Sequence, residues 1–86
     1  MRVVLHKHFQ KRLQKLPRSI QRAYKIRRNL FLKDPLNPML ENHPLQGKYN
    51  GFRSISITGD FRVLYDPVNH ELAHFILIGT HSELYG

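Results

Sequence analysis

The sequence predicts an α+β fold in which a short strand, a helical hairpin and a small antiparallel sheet follow one another in the order β-α-α-β-β-β. Three observations predict it. The chain has 86 residues, which suits a single domain, 1–86, whose core just offsets the entropy of folding. Apolar residues recur at helical spacing in its first part, and they alternate with polar residues at strand spacing in its second part.

The N-terminal third is predicted to hold one strand and two helices. The run Arg2–Leu5 is rich in β-branched residues but too short to be stable alone, so we expect it to join the later strands. Phe9, Leu13 and Leu16 recur at i, i+4 and i+7, which indicates a short amphipathic helix that ends at Pro17.

A second helix is predicted over residues 18–33, folded back on the first around Leu16-Pro17-Arg18. Its core-facing line is Ile20, Ala23, Ile26 or Arg27, and Leu30, with Tyr24 and Phe31 at the flank. The prolines that follow end this helix, because a residue before proline is pushed out of the α region. Segment 34–50 is then expected to be a long irregular connection that contains His43.

The C-terminal half is predicted to form three strands, 51–57, 61–66 and 71–79, joined by two tight turns. The last of them is the most apolar and should lie in the middle of the sheet. If Thr58-Gly59 form a two-residue loop, Ile55 faces Arg62 and Arg53 faces Leu64. That register would put Arg53 and Arg62 on the same side of the hairpin.

Charge is distributed unevenly along the chain. The formal net charge is +8, and residues 1–33 hold 11 of the 14 Lys and Arg residues and none of the six acids. Such a basic arm indicates either a polyanionic partner or a solvated helix face, and charge alone does not choose between them. The chain has no cysteine and no long apolar run, so we expect a soluble protein of the cytoplasm, without contact to a membrane.

Several polar residues lie just before, within or just after the predicted strands: His43, Arg53, Asp60, Arg62, His81 and Tyr85. This set suits phosphodiester cleavage in RNA, where the 2′-hydroxyl attacks phosphorus. A histidine can take the proton of the attacking hydroxyl, an arginine can stabilise the charge on phosphorus, and a second histidine can protonate the leaving oxygen. Aromatic rings such as Phe61 and Tyr85 can stack an unpaired base.

Each of these residues also has a structural interpretation. His43 precedes a proline and suits a loop, and Asp60 beside Gly59 suits a turn. Arg53 and Arg62 can pair with carboxylates of the sheet, His81 can cap a strand end, and Tyr85 can anchor the terminus. His6, His8, His70 and His74 lack supporting spacing and are expected at the surface. The spacing of the histidines predicts no metal site.

The runs HPLQGKYNGFRSISITGDFRVLYD and FILIGTHSELYG resemble the RelE/ParE superfamily of bacterial toxin–antitoxin toxins. The likeness is closest to the YafQ-like members of its RelE-like branch, and it is strong over 43–85 and weak over the basic helices. It implies a RelE-like fold, with the helices on one face of the sheet and a concave substrate face on the other. It also implies an endoribonuclease that cleaves messenger RNA in the ribosomal A site without a metal or other cofactor.

The resemblance further implies partners and residue roles. A cognate acidic antitoxin would hold the toxin inactive, and operator DNA would be bound only through the antitoxin complex; the basic arm would meet both ribosomal RNA and the antitoxin. By matching position, His43 would be the general base, Arg62 the phosphate-stabilising cation and His81 the general acid. Among the remaining matched positions, Arg53 would position the RNA backbone and Asp60 would orient one of the histidines. Phe61 and Tyr85 would stack on or orient the nucleotide.

The chain departs from the YafQ-like pattern at two positions. Ser56 stands where the branch has a histidine, and Phe61 stands where it has a tryptophan. The change at Ser56 leaves the catalytic set one histidine poorer, which favours slow or altered cleavage; we expect His43, Arg62 and His81 to suffice. Two alternatives stay open: a ParE-like inhibitor of DNA gyrase without nuclease activity, and a relic that acts only as a co-repressor with its antitoxin.

Overall fold

A computed structural model describes residues 1–86. Five strands form one sheet in the spatial order β1-β5-β4-β3-β2: β1 (Arg2–Leu5), β2 (His43–Pro44), β3 (Arg53–Ser56), β4 (Phe61–Asn69) and β5 (Leu72–Thr80). Neighbouring strands are antiparallel except β1, which runs parallel to β5. The predicted α+β order is confirmed, and β1 does join the later strands. None of the helices has the length and apolar character needed to cross a bilayer.

Helices α1 (Lys7–Lys15) and α2 (Arg18–Lys33) form the predicted hairpin and pack on one face of the sheet. The predicted core-facing line of α2 is wrong in part. Tyr24 and Phe31, expected at the flank, are almost fully buried, whereas Ile26 is 67% exposed. Large rings bury more apolar area than a single aliphatic side chain, so the helix turns its aromatic side inward.

The aromatic rings form the centre of the core. Phe31 packs edge-on against Tyr65 of β4 and Phe75 of β5, at ring-centroid distances of 5.1 and 5.4 Å. Phe9 and Tyr24 add to the same cluster from the other side of Phe75. These contacts attach the helical hairpin to the middle strands, so the hairpin leaves the opposite face of the sheet uncovered.

The predicted register of the β3–β4 hairpin is wrong by one residue. The structure pairs Ser56 with Arg62, Ile55 with Val63 and Arg53 with Tyr65. The loop has three residues, Thr58–Asp60, because the backbone N–H of Ile57 already bonds to the carbonyl of Phe61. Since side chains alternate along a strand, Arg53 and Arg62 point to opposite faces of the sheet, and the prediction that they share a side is overturned.

Segment 34–50 is more ordered than predicted. It contains two short 3₁₀ turns, Pro38–Leu40 and Gly47–Tyr49, with the two-residue strand β2 between them. Leu40 is fully buried and pins the first turn to the core. His43 therefore lies on an edge strand paired with Ser54 of β3, and not in an irregular loop.

Strand β4 is longer than predicted, whereas β5 has the predicted length and begins one residue later. Strand β4 continues through Pro67 and Val68 to Asn69, where a tight turn had been expected, and β5 lies between β1 and β4 as predicted for a middle strand. Pairing between the two strands shifts by one residue after Leu64, which marks a β-bulge. A short helix, α3 (His81–Tyr85), follows β5 directly.

The corrected packing of α2 predicts a large difference between two apolar residues of the same helix. Phe31→Ala should lower the free energy of unfolding by about 3–5 kcal/mol, because it removes a fully buried ring. Ile26→Ala should change that free energy by less than about 0.5 kcal/mol, since the side chain is mostly in water. Urea denaturation of both variants measures this difference, and equal destabilisation would contradict the observed face of the helix.

Candidate active site

A cavity of about 370 Å³ lies on the face of the sheet away from the helical hairpin. Strands β2, β3 and β4 provide its floor, and α3 closes one end. Six residues line it: His43, Leu45, Ser54, Arg62, His81 and Tyr85. The structure thus brings together the three residues predicted to be catalytic, although they are widely separated in the sequence.

His43 is held with one ring nitrogen free. Its Nδ1 lies 2.8 Å from the backbone carbonyl of Glu41, and because a carbonyl only accepts, Nδ1 must carry the hydrogen. In the neutral imidazole Nε2 is then the unprotonated nitrogen, which can accept a proton. Glu41 presents that carbonyl from a left-handed backbone conformation, with φ of 49°, which costs about 1–2 kcal/mol in a residue other than glycine.

Arg53 points to the face of the sheet opposite the cavity, where it holds the residue before His43. Its Nε donates to the side-chain oxygen of Asn42 at 2.7 Å. The Asn42 amide in turn donates to the carbonyl of Pro35 and to the hydroxyl of Tyr65, at 2.9 and 2.8 Å. Arg53 therefore fixes the residue before His43 and does not line the cavity.

Arg62 is positioned by the β3–β4 hairpin itself. Its Nη1 donates to the hydroxyl of Ser56 at 2.7 Å and to the carbonyl of Thr58 at 3.3 Å. The Ser56 hydroxyl donates to the same Thr58 carbonyl at 3.0 Å. Ser56, which the family resemblance indicates only as a lost histidine, thus orients the guanidinium of Arg62. The other donors of this guanidinium stay free to bind an anion.

His81 and Tyr85 belong to α3, whose start is fixed by a capping box. The Thr80 hydroxyl accepts from the backbone N–H of Glu83 at 3.2 Å, and the Glu83 carboxylate accepts from the backbone N–H of Thr80 at 2.8 Å. Glu83 also forms an ion pair with Arg12 of α1. The rings of His81 and Tyr85 lie 4.7 Å apart, so the two side chains enter the cavity as a pair.

Asp60 and Phe61 do not line the cavity. Asp60 accepts from the backbone N–H of His81 through its carbonyl, at 3.1 Å, and through its side chain, at 3.4 Å. It therefore holds the start of α3 and forms no hydrogen bond with an imidazole. Phe61 alternates with Arg62 along β4 and packs, half-buried, against the hydrophobic core, so the stacking of a base on this ring stays a prediction.

Two residues that line the cavity were not singled out from the sequence, Leu45 and Ser54. A signal for Ser54 was present, because Ser54 and Ser56 alternate with Ile55 and Ile57. Such alternation marks one apolar and one polar face of the same strand. Leu45 follows β2 and has no comparable signal.

Comparison with known proteins identifies the class. The chain belongs to the family described as “Bacterial toxin of type II toxin-antitoxin system, YafQ”, whose family model matches residues 1–86. The predicted resemblance is thereby confirmed. A curated relative, the mRNA interferase toxin YafQ of Escherichia coli strain K12, is 35% identical over 52 residues. The matched segment spans 60% of this chain and about half of the relative's length, 55%.

Solved structures share the fold over nearly the whole chain. YafQ from E. coli strain BL21(DE3) superposes with a TM-score of 0.81 at 22% identity, covering 99% of this chain and 98% of that one. The toxin in the E. coli DinJ-YafQ toxin-antitoxin complex superposes with a TM-score of 0.67 at 22% identity, covering 99% and 97%. At this identity the likeness establishes the fold alone.

The capping box predicts a pH dependence of stability. The backbone N–H of Thr80, assisted by Arg12, lowers the pKa of the Glu83 carboxyl below its usual 4.5. A lowered pKa in the folded state stabilises the protein above the unfolded value, and this contribution is lost as the pH falls through the folded pKa. Stability should therefore decrease below about pH 4.5, and Glu83→Gln should make that decrease shallower.

Urea denaturation between pH 3 and pH 6, on the order of ten points, measures this dependence. Glu71→Gln is the matched control, because Glu71 is an exposed glutamate in the turn before β5. Identical pH slopes for Glu83→Gln and the wild-type protein would contradict the role of this carboxylate.

Proposed function

We propose that this chain is a ribosome-dependent endoribonuclease that cleaves messenger RNA through attack by the neighbouring 2′-hydroxyl. The observation that supports it most strongly is the shared cavity of His43, Arg62 and His81. Two histidines and an arginine provide a base, a phosphate-binding cation and an acid, the three groups that such cleavage needs. The name of the curated relative, an mRNA interferase, agrees with this chemistry.

In the proposed reaction His43 begins as the base. Its free Nε2 takes the proton of the 2′-hydroxyl while the 2′-oxygen forms a bond to phosphorus. The bond from phosphorus to the 5′-oxygen breaks, and His81, in its protonated form, gives a proton to that leaving oxygen. The products are a 2′,3′-cyclic phosphate and a free 5′-hydroxyl, and the reaction leaves the proton of the 2′-hydroxyl on His43 and the proton of His81 on the leaving oxygen.

Arg62 stabilises the charge that develops on the phosphate oxygens during this step. Ser56 and Thr58 already occupy Nη1, so the remaining donors of the guanidinium are left to bind the phosphate in a fixed orientation. An oriented donor loses little entropy when the transition state forms. Tyr85, paired with His81, is the ring available in the cavity to stack on a base.

The basic arm is proposed to bind the acidic partners of the toxin. On α2 a surface hollow is lined only by polar side chains, Arg18, Gln21, Arg22 and Lys25, and no acid lies within residues 1–33. Such a surface suits phosphates of ribosomal RNA and the carboxylates of a cognate antitoxin. A cytoplasmic location follows from both partners, and the YafQ relative is known in complex with DinJ.

The catalytic assignment predicts the effects of three substitutions. His43→Ala, Arg62→Ala and His81→Ala should each lower cleavage of a translated messenger RNA by about 10²–10⁴-fold, because each removes a group that acts in the transition state. Primer extension in a purified ribosome system measures the cuts. His70→Ala is the matched control, since His70 is an exposed histidine of the β4–β5 turn, and it should cleave at the wild-type rate.

The outcomes separate the proposed function from its alternatives. Full cleavage by His81→Ala would show that the assignment of the acid is wrong. Folded wild-type protein that makes no cuts would contradict the nuclease itself, and inhibition of gyrase supercoiling by the same sample would then favour the ParE-like alternative.

The basic surface on α2 predicts salt-dependent binding. Arg22→Glu should weaken binding to the ribosome and flatten the dependence of the logarithm of affinity on the logarithm of salt concentration, because it removes one phosphate contact. Lys33→Glu makes the same charge change at an exposed position at the end of α2. Titration of fluorescent toxin with ribosomes compares the two, and equal losses would assign the effect to net charge and not to the surface.

A further inference from the structure

The hydroxyl of Ser54 has no hydrogen-bond partner within the protein. Ser54 lies in β3 and is fully buried, and only one other buried side-chain atom, the hydroxyl of Tyr24, shares this condition. Buried hydroxyl groups are nearly always paired, because removing such a group from water without a new bond costs free energy. An unpaired hydroxyl in the lining of a cavity is therefore a group that a ligand can satisfy.

Ser54 also lies on the same face of the sheet as the two groups that are proposed to act on the substrate, His43 and Arg62. In the sheet register it faces His43 of β2 on one side and Leu64 of β4 on the other. Two residues further along the same face, Ser56 binds Arg62. The backbone of Ser54 is paired with a strand on each side, so its position is fixed, whereas His43 and His81 are exposed at the rim.

We propose that the Ser54 hydroxyl donates a hydrogen bond to a non-bridging oxygen of the scissile phosphate. This substrate contact rests on the proposed function. A phosphate oxygen is the partner expected at this place, because the proposed base lies on the neighbouring strand and the phosphate-binding arginine is held two residues further along the same face. A bond to a charged oxygen is stronger than one to a neutral group, and it would satisfy the one buried polar atom of the cavity floor that the protein leaves unpaired.

Ser54→Ala tests this contact through the cleavage rate, which should fall, and the stability of the protein, which should not fall. The single-turnover rate of cleavage should fall by about 10- to 100-fold, because one hydrogen bond to a charged group is lost. The urea midpoint should stay unchanged or rise, since the substitution removes a buried group that has no partner in the free protein. A residue with only a structural role would lose stability together with activity.

Two further variants serve as matched controls. Tyr24→Phe removes the other buried hydroxyl, which lies beside Arg28 near β1 and α2 and away from the cavity, so it should keep the wild-type rate. Ser56→Ala removes a hydroxyl that is paired with Arg62 and Thr58, so it should lower both the rate and the midpoint.

A messenger RNA with a 2′-deoxynucleotide at the cut site tests the identity of the bonded atom. This messenger cannot be cleaved but keeps the phosphate, so Ser54→Ala should weaken toxin binding to its ribosome complex about as much as it lowers cleavage. An affinity loss confined to messengers with the 2′-hydroxyl would overturn the phosphate contact.

The rates separate failure of the inference from failure of the proposed function. A wild-type rate in Ser54→Ala, with cleavage by the wild-type protein intact, would overturn the inference alone. No cleavage by the folded wild-type protein would overturn the proposed function, and the Ser54 contact would fall with it.

Discussion

The three-residue turn Thr58–Asp60 is the constraint on which the site depends. It pairs Ser56 with Arg62 and Ile55 with Val63, so that both serines of β3 share one face with Arg62, while Ile55 and Val63 face the core. A shift of one residue would turn Arg62 toward the helices and expose the core side chains of one strand. The same turn also supplies the Thr58 carbonyl that holds Arg62 and the Asp60 groups that hold the start of α3. One short loop thus sets both the arginine and the second histidine of the cavity.

The sheet and the hairpin could be predicted from the sequence because they follow from repeated patterns. The register could not be predicted from the turn alone, since Thr58-Gly59-Asp60 suits a loop of two or three residues. The alternation within the strands was the better guide, because only the three-residue loop lets Ile55 face Val63. The burial of Phe31 in place of Ile26 depended on the shape of the core, which helical periodicity does not describe. Strand β2 was not predicted because two residues ending in proline give no strand signal.

The site could be predicted only where the resemblance supplied roles. The residues alone left His43 open as a loop residue and Arg62 open as a partner of a carboxylate. The structure places both side chains with His81 around one cavity, and it places Arg53 and Phe61 on the opposite face. Ser54 and Ser56 were missed for a physical reason: what distinguishes them is whether their hydroxyls are paired, and pairing depends on three-dimensional neighbours. Ser56, which the resemblance indicated only as the loss of a histidine, orients the arginine.

The left-handed backbone at Glu41 has a consequence for how this family member can vary. The carbonyl of Glu41 decides which nitrogen of His43 bears hydrogen, and a carbonyl belongs to every amino acid. The tautomer of His43, the proposed base, is therefore set by a main-chain conformation and does not depend on the glutamate side chain. Position 41 should tolerate glycine, asparagine or aspartate, which adopt this conformation readily, and resist valine or isoleucine, which do not. Variation among toxins at this position should accordingly follow backbone preference rather than charge.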